Sequence, residues 1–264
     1  LRGYIEGELG GINDIGFSPN SQRIVSAGGD GTIRLWESSG QQLMQREHPT
    51  VVNTVAFSPD GESFASGDDY GVVLLWNQSG EKRAEFEHPG GVNQITFSPN
   101  GQTLATAGKD GQVRLWETSG QEIAQFQAHP QRVFNVSFSP DGQQLATAGD
   151  EDVVRLWTLS GQEVQQLEGH QGWVIAVNFS PDGEQLATAG DDGTVRLWER
   201  SGREIARLQG HRGTVWRANF SPDGRYLMSA GRDGSSRLWD LSTAATLQFP
   251  GHQEDVNTVS FSPD

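Results

Sequence analysis

The sequence predicts an all-β protein made of one repeated unit. The tripeptide Phe-Ser-Pro recurs seven times, with Phe at 17, 57, 97, 138, 179, 220 and 261, so the period is 40 or 41 residues throughout. Each of the first six Phe is followed nineteen residues later by Trp: Trp36, Trp76, Trp116, Trp157, Trp198 and Trp239. Every period then parses into four short apolar segments divided by turn signals, too short for helices and spaced as strands.

The fourth unit shows the elements in order. Val133 to Phe138 is the first strand, Pro140-Asp141-Gly142 the turn, and Gln144 to Ala148 the second strand. Pro fixes φ, Asp bonds back to the chain and Gly accepts φ > 0, which suits a tight reversal. After an acidic turn come Val153 to Trp157, Ser160-Gly161 and a last strand, Glu163 to Leu167. In other units Lys109-Asp110-Gly111 and Asp191-Asp192-Gly193 mark the second hairpin.

Composition bounds the function. Among 264 residues, Lys and Arg number 19 and Asp and Glu 34, a formal charge of −15. That balance argues against general nucleic-acid binding and against an anionic membrane surface. No apolar stretch is long enough to span a bilayer as a helix. Hydrophobic residues are only 34%, yet eight Trp and twelve Phe supply large surfaces for burial. Cysteine is absent, which excludes disulfides, thiolate metal sites and a cysteine nucleophile, and a cytoplasmic location is the expectation. Leu1-Arg2-Gly3-Tyr4 reads like the middle of an element, so a piece of a larger polypeptide is expected.

The pattern His-x5-Val-x4-Phe-Ser-Pro-Asp-Gly, Leu-Ala-Thr-Ala-Gly, Asp-Gly-Thr-Val-Arg-Leu-Trp resembles the WD40 repeat, over essentially the whole chain. The resemblance implies a β-propeller whose four-stranded blades stand around a channel, the first strand of each innermost. Leu1 to Ile5 aligns with a fourth strand and Val256 to Phe261 with a first strand. The expected ring is therefore seven-bladed with one incomplete blade, built from six complete repeats plus a strand at each end. A six-bladed closure with frayed ends is the alternative.

All six histidines, His48, His88, His129, His170, His211 and His252, stand nine residues before the repeat Phe. Ser or Thr follows the Phe by nine (Ser26, Ser66, Thr106, Thr147, Thr188, Ser229), and an acid commonly comes four later. A hydroxyl, an imidazole and a carboxylate imitate a nucleophilic triad. Repetition in every blade, with Ser and Thr interchangeable and no separate oxyanion donor, speaks against catalysis. The WD40 resemblance implies instead a structural hydrogen-bonded chain through His, Ser/Thr, Asp and Trp. Complete sets are His88-Thr106-Asp110-Trp116, His170-Thr188-Asp192-Trp198 and His211-Ser229-Asp233-Trp239. Glu8 replaces His in the first repeat, Tyr70 takes the Asp position in the second and Glu151 takes it in the fourth, so these blades are expected to be looser.

Asp150-Glu151-Asp152 is read as a degenerate hairpin turn in preference to a Ca²⁺ ligand set, because it lacks EF-hand spacing. Arg34, Arg114, Arg155, Arg196 and Arg237, one per blade two residues before Trp, are expected as ion-pair partners within their blades. No cofactor and no metal are expected.

Function is sought where repeats disagree. In the first strand the apolar alternation slips by one at Val133, Val174 and Val215, which signals a β-bulge. The resemblance implies that the residues six and four before Phe, and the one before the hairpin acid, project onto the channel mouth. The first three repeats show Gly11, Asn13, Gly29, Val51, Asn53, Asp69, Gly91, Asn93 and Lys109 at these positions. The next three show Arg132, Phe134 and Asp150, then Trp173, Ile175 and Asp191, then Thr214, Trp216 and Arg232. The two Trp not used by the framework are both here, and an aromatic cluster rimmed by charge has hot-spot composition. The expected function is a noncatalytic interaction scaffold, with signalling as the expected setting, that binds a protein or peptide at this mouth. The alternatives are a small-ligand or enzymatic site in the channel, and a structural spacer.

Overall fold

The computed structural model describes residues 11–250 and 254–263. They form six four-stranded antiparallel sheets, each ordered a-b-c-d as in the chain. The first strands, Ile12–Phe17, Val52–Phe57, Val92–Phe97, Val133–Phe138, Val174–Phe179 and Val215–Phe220, pack side by side in sequence around the axis. Each sheet is one blade, numbered here 1 to 6 from the N-terminus.

Burial explains the strand compositions. Strands b and c of blade 5, Gln185–Gly190 and Thr194–Glu199, are buried on both faces between neighbouring blades, which is why they read as continuous apolar and small residues. The outer strand Glu122–Gln127 alternates, with one face to water. Blades adhere through aromatic contacts: Phe86 of blade 2 stacks on Trp116 of blade 3 with centroids 5.2 Å apart, and Phe126 meets Trp157 of blade 4 at 5.0 Å. Each fully buried side chain of this size contributes about 1.5–3 kcal/mol. The Phe-Ser-Pro-Asp-Gly turn is held by its serine, which the turn residues alone do not explain. Ser180 Oγ donates to Asp182 Oδ1 (2.6 Å) and accepts the Gln185 N–H (2.9 Å), clamping both ends of the reversal.

The seven-bladed expectation is corrected to six four-stranded blades among the described residues. Val256 to Phe261, expected as a first strand, forms no ladder, because among the described residues no second strand lies beside it to accept its backbone bonds. Its fixings are local. Asn219 Nδ2 donates to Val259 O (2.6 Å), Val256 N–H to Gly231 O (3.2 Å), and Asn257 Nδ2 reaches Ile12 O at 3.5 Å, so the segment lies between the inner strands of blades 6 and 1. Leu1 to Ile5, the other expected strand, lies outside the described residues, as do Glu8 and His252. The outer strand of blade 6, Thr246–Pro250, exposes Leu247 (62%) and Phe249 (51%), whereas Phe86 and Leu167, at the Phe249 position of blades 2 and 4, are buried.

The expected bulge is present in all six blades. Each first strand skips one residue against strand b, and the skipped residues are Asn13, Asn53, Asn93, Phe134, Ile175 and Trp216. A bulged side chain leaves the ladder's alternation and is re-aimed, so the positions that vary most around the mouth are those the backbone frees.

Candidate functional site

Inside each blade the repeated polar residues form a framework. In blade 6, Trp239 Nε1 donates to Ser229 Oγ (2.9 Å), the serine O–H bonds His211 Nε2 (2.7 Å), and His211 Nδ1 bonds Asp233 (3.0 Å). Blade 3 repeats this through Trp116, Thr106 (3.0 Å), His88 (2.7 Å) and Asp110 (3.1 Å). Blade 5 does so through Trp198, Thr188 (2.9 Å), His170 (2.7 Å) and Asp192 (3.0 Å). The hydroxyls are 0% exposed at Thr106, Thr188 and Ser229, so none meets a substrate, and the triad-like pattern is a buried strut joining loop, hairpin and strands. Burial pushes the imidazoles of His48, His88, His129 and His211 below the ordinary histidine value despite the carboxylates beside them. Burial works against ionisation of Asp192 and Asp233 too, but hydrogen bonds from His170 and Thr194, and from Ser235, Arg212 N–H and His211, outweigh it and hold both well below the usual carboxylate range.

Two of the three departures are repaired, which removes the reason to expect looser blades there. In blade 4, Glu151 reaches His129 Nδ1 (3.0 Å) and pairs with Arg155, its longer stem spanning what Asp spans elsewhere. In blade 2 the carboxylate comes from a different position: Asp68 Oδ2 bonds His48 Nδ1 (3.3 Å), with both side chains fully buried, and Tyr70 is left exposed at the turn. Other blades carry Gly at the Asp68 position because the histidine packs against it; a Cβ on Gly190 or Gly231 would lie 2.7 or 2.6 Å from Nδ1 of His170 or His211. The signal for Asp68 was legible, since the one blade without a hairpin acid at the usual place is the one with Asp in place of that Gly.

The strand-c arginines pair as expected in four blades: Arg34 with Asp30 (2.8 Å), Arg114 with Glu122 (2.7 Å), Arg155 with Glu151 and Glu163, and Arg196 with Asp192 and Glu204 (2.8 Å). Arg237 departs, with no ion pair among the described residues and its buried Nε without a partner.

At the rim, the backbone brings together the residues grouped from sequence. The N–H of the residue before the hairpin acid donates to the carbonyl six before Phe in every blade: Asp191 to Trp173 (3.0 Å), Arg232 to Thr214 (2.9 Å), Asp150 to Arg132 (3.3 Å), and likewise in blades 1 to 3. The bulged residue beside them takes two forms. Asn13, Asn53 and Asn93 each donate through Nδ2 to the first carbonyl of the next inner strand, at Val52 (2.9 Å), Val92 (2.9 Å) and Val133 (2.8 Å). Phe134, Ile175 and Trp216 make no such tie. Phe134 sets its ring against Trp173 at 5.8 Å, tilted 48°, and Trp173 is 50% exposed. Ile175 and Trp216, with Arg217 and Asn257, line a cavity of 210 Å³.

The exposed aromatic cluster is therefore narrower than expected. Ile175 is buried (8% exposed), because the bulge turns it into the cavity wall instead of outward, and Trp216 is half-buried with its Nε1 shielded and unpartnered. Arg132 and Arg232 are exposed, with no ion pair among the described residues. Asp150 Oδ1 accepts the Arg132 N–H (3.2 Å).

Sequence reasoning missed the channel. The residue three before Phe varies, as Asp14, Thr54, Gln94, Asn135, Ala176 and Arg217, and Asp14, Thr54, Asn135 and Ala176 are buried there among the inner strands. Arg217 of blade 6 reaches across to Gln94 of blade 3 (2.9 Å). Asp14 is buried and accepts from Thr54 Oγ1 (3.1 Å) and Val55 N–H (3.2 Å); burial raises its pKa, with Arg217 opposing. The unrepeated pair Asp14 and Arg217 at one register position was the available signal.

Six radially packed blades, of which blades 2 to 6 are held by Trp-hydroxyl-His-carboxylate struts, define a WD40-type β-propeller. Residues 11–264 match the family described as IFT122 first beta-propeller, and the chain belongs to it, a family of scaffold-type propellers. No curated protein matches the sequence.

Proposed function

We propose that this propeller is a noncatalytic interaction module that takes a peptide or a loop of a partner protein on the mouth of blades 4 to 6, as part of a larger cytoplasmic polypeptide. Trp173, Trp216 and Phe134 are the anchors, Ile175 backs them, and Arg132 or Arg232 pairs an acidic group of the partner beside Asp150 and Asp191. The observation that carries this reading is the split at the bulge: the same position ties blade to blade through asparagine in three blades and carries apolar side chains without that tie in the other three. Large aromatics set among polar rim groups supply binding energy when a partner excludes water from them. The test is capture from the native source by the full domain and by a folded Trp173→Ala/Trp216→Ala variant. A partner kept by the first and lost by the second supports the reading; equal capture moves the site elsewhere on the ring.

A channel ligand is the second reading, favoured by the unrepeated Asp14 and Arg217. Both charges already have protein partners, Thr54 and Val55 for one and Gln94 for the other, and the Arg217–Gln94 bond spans the lumen.

A further inference from the structure

Asp69 of blade 2 and Asp191 of blade 5 hold the same register position, immediately before the turn of the second hairpin, in opposite circumstances. Asp69 accepts from Asn53 Nδ2 (2.9 Å) and forms an ion pair with Lys109 of the following blade. Those two donors hold its carboxyl below the ordinary aspartate value. At Asp191 both are gone. The residue equivalent to Asn53 is Ile175, which has nothing to donate, and the residue equivalent to Lys109 is Arg232, which makes no ion pair among the described residues. The Asp191 carboxylate rests against the backbone of Gly172, where a Cβ would come within 3.0 Å of its Cγ. Burial, with the charge of Asp192 adding to it, pushes its pKa up. Beside it on the same rim stands Trp173, half-exposed and backed by Phe134.

We infer that Asp191, Trp173 and Phe134 form a subsite for one cationic side chain, a Lys or Arg carried by the docking partner, which takes against Asp191 the place that Lys109 takes against Asp69. This rests on the reading of the mouth as a docking surface and specifies its chemistry. The molecule itself supplies the template, an ammonium from the next blade closing on a rim aspartate. The indole face adds a cation–π attraction that Asp69, flanked by Val51, does not offer. The formal charge of −15 draws a basic segment toward the protein and repels an acidic one.

The test uses two fluorescein-labelled decapeptides, one alternating Lys and Ser and the other Glu and Ser, titrated with the whole domain and followed by anisotropy. Asp182→Asn is the charge-matched control: it sits in the turn at the other end of blade 5, and Asn20 and Asn100 fill that place in blades 1 and 3. The expected result is that the Lys peptide binds and the Glu peptide does not. Asp191→Asn and Trp173→Ala each weaken the Lys peptide by about fivefold or more, and Asp182→Asn changes it by less than about twofold. No measurable binding of the Lys peptide, tighter binding of the Glu peptide, or equal effects of Asp191→Asn and Asp182→Asn would each overturn the subsite. Weakening by Trp173→Ala without weakening by Asp191→Asn would leave the docking surface standing and remove only its cation site. An NMR titration separates the remaining possibility: a rise in the Asp191 pKa on Arg232→Ala would mean that Arg232 already fills the place and would overturn the inference, whereas an unchanged pKa supports it.

Discussion

Blades 1 to 3 and blades 4 to 6 share one backbone plan and part company at the bulged residue of the first strand. In the first half that residue is asparagine, and its amide is spent on the carbonyl of the next inner strand. In the second half it is Phe134, Ile175 or Trp216, which leave that carbonyl without the tie and give a tilted ring pair and a walled cavity in its place. The rim acids follow the same division, with Asp69 held by Asn53 and Lys109 and Asp191 lacking both of these donors. A repeat protein can thus vary one register position from arc to arc without altering the backbone that both use; blades 5 and 6 take cross-ties one residue before Phe instead, from Asn178 Nδ2 to Ala218 O (3.0 Å) and from Asn219 Nδ2 to Val259 O (2.6 Å).

The largest effect that would break this comparison is on partner affinity. Trp173→Ala and Trp216→Ala should each cost about 2 kcal/mol or more in binding, with the unfolding transition of the exposed Trp173→Ala variant unchanged, whereas Asn53→Ala should leave binding intact; calorimetric titration decides. Next is the framework, which must be equal in both halves if only the mouth differs. Asp68→Ala strands the buried His48 and should destabilise by about 1–3 kcal/mol in urea unfolding. The double change Asp68→Gly/Tyr70→Asp, which copies blade 3, should restore most of that loss. Hydrogen exchange at the Tyr70 hairpin should then match that at the Asp192 hairpin.

Acid should act on both halves together. His48 and His88 in one half, and His129 and His211 in the other, have folded pKa values below the ordinary value of about 6.5. The unfolded chain therefore binds protons first, so stability is full above that value and falls as pH drops through it. Asp192 and Asp233 keep their contribution until the pH falls below the ordinary aspartate range. A melting series from pH 8 to 4 should show the first decline near 6.5, and a flat profile there would contradict the buried neutral rings. A smaller effect belongs to the cross-ties: Asn93→Ala should cost about 1 kcal/mol. The smallest is Lys109→Met, about 0.5 kcal/mol, because its pair with Asp69 is partly exposed and screened.

Much of this was legible in the sequence. The fixed Phe-to-Trp spacing located every strand of the fourth unit to within one residue, and the slip at Val133, Val174 and Val215 marked the bulge. The WD40 resemblance grouped Trp173 with Asp191 and Arg132 with Asp150 at the mouth, and the backbone bonds between them lie within that grouping. Blade number was not. Val256 to Phe261 carries a strand pattern, but a strand exists only where a neighbour accepts its backbone bonds, and none is beside it among the described residues.

The sequence by itself determined the local chemistry: strand period, turn geometry, the Trp-hydroxyl-His strut and the place where each blade is free to vary. Those depend on residues within one unit, whose spacing is fixed by covalent geometry. Only the tertiary structure decided that Ile175 turns inward while Trp173 stays out, and that Arg217 bonds Gln94 across the channel. Each of these joins groups that are distant along the chain or that compete for the same space, and which wins is settled by how neighbouring blades pack.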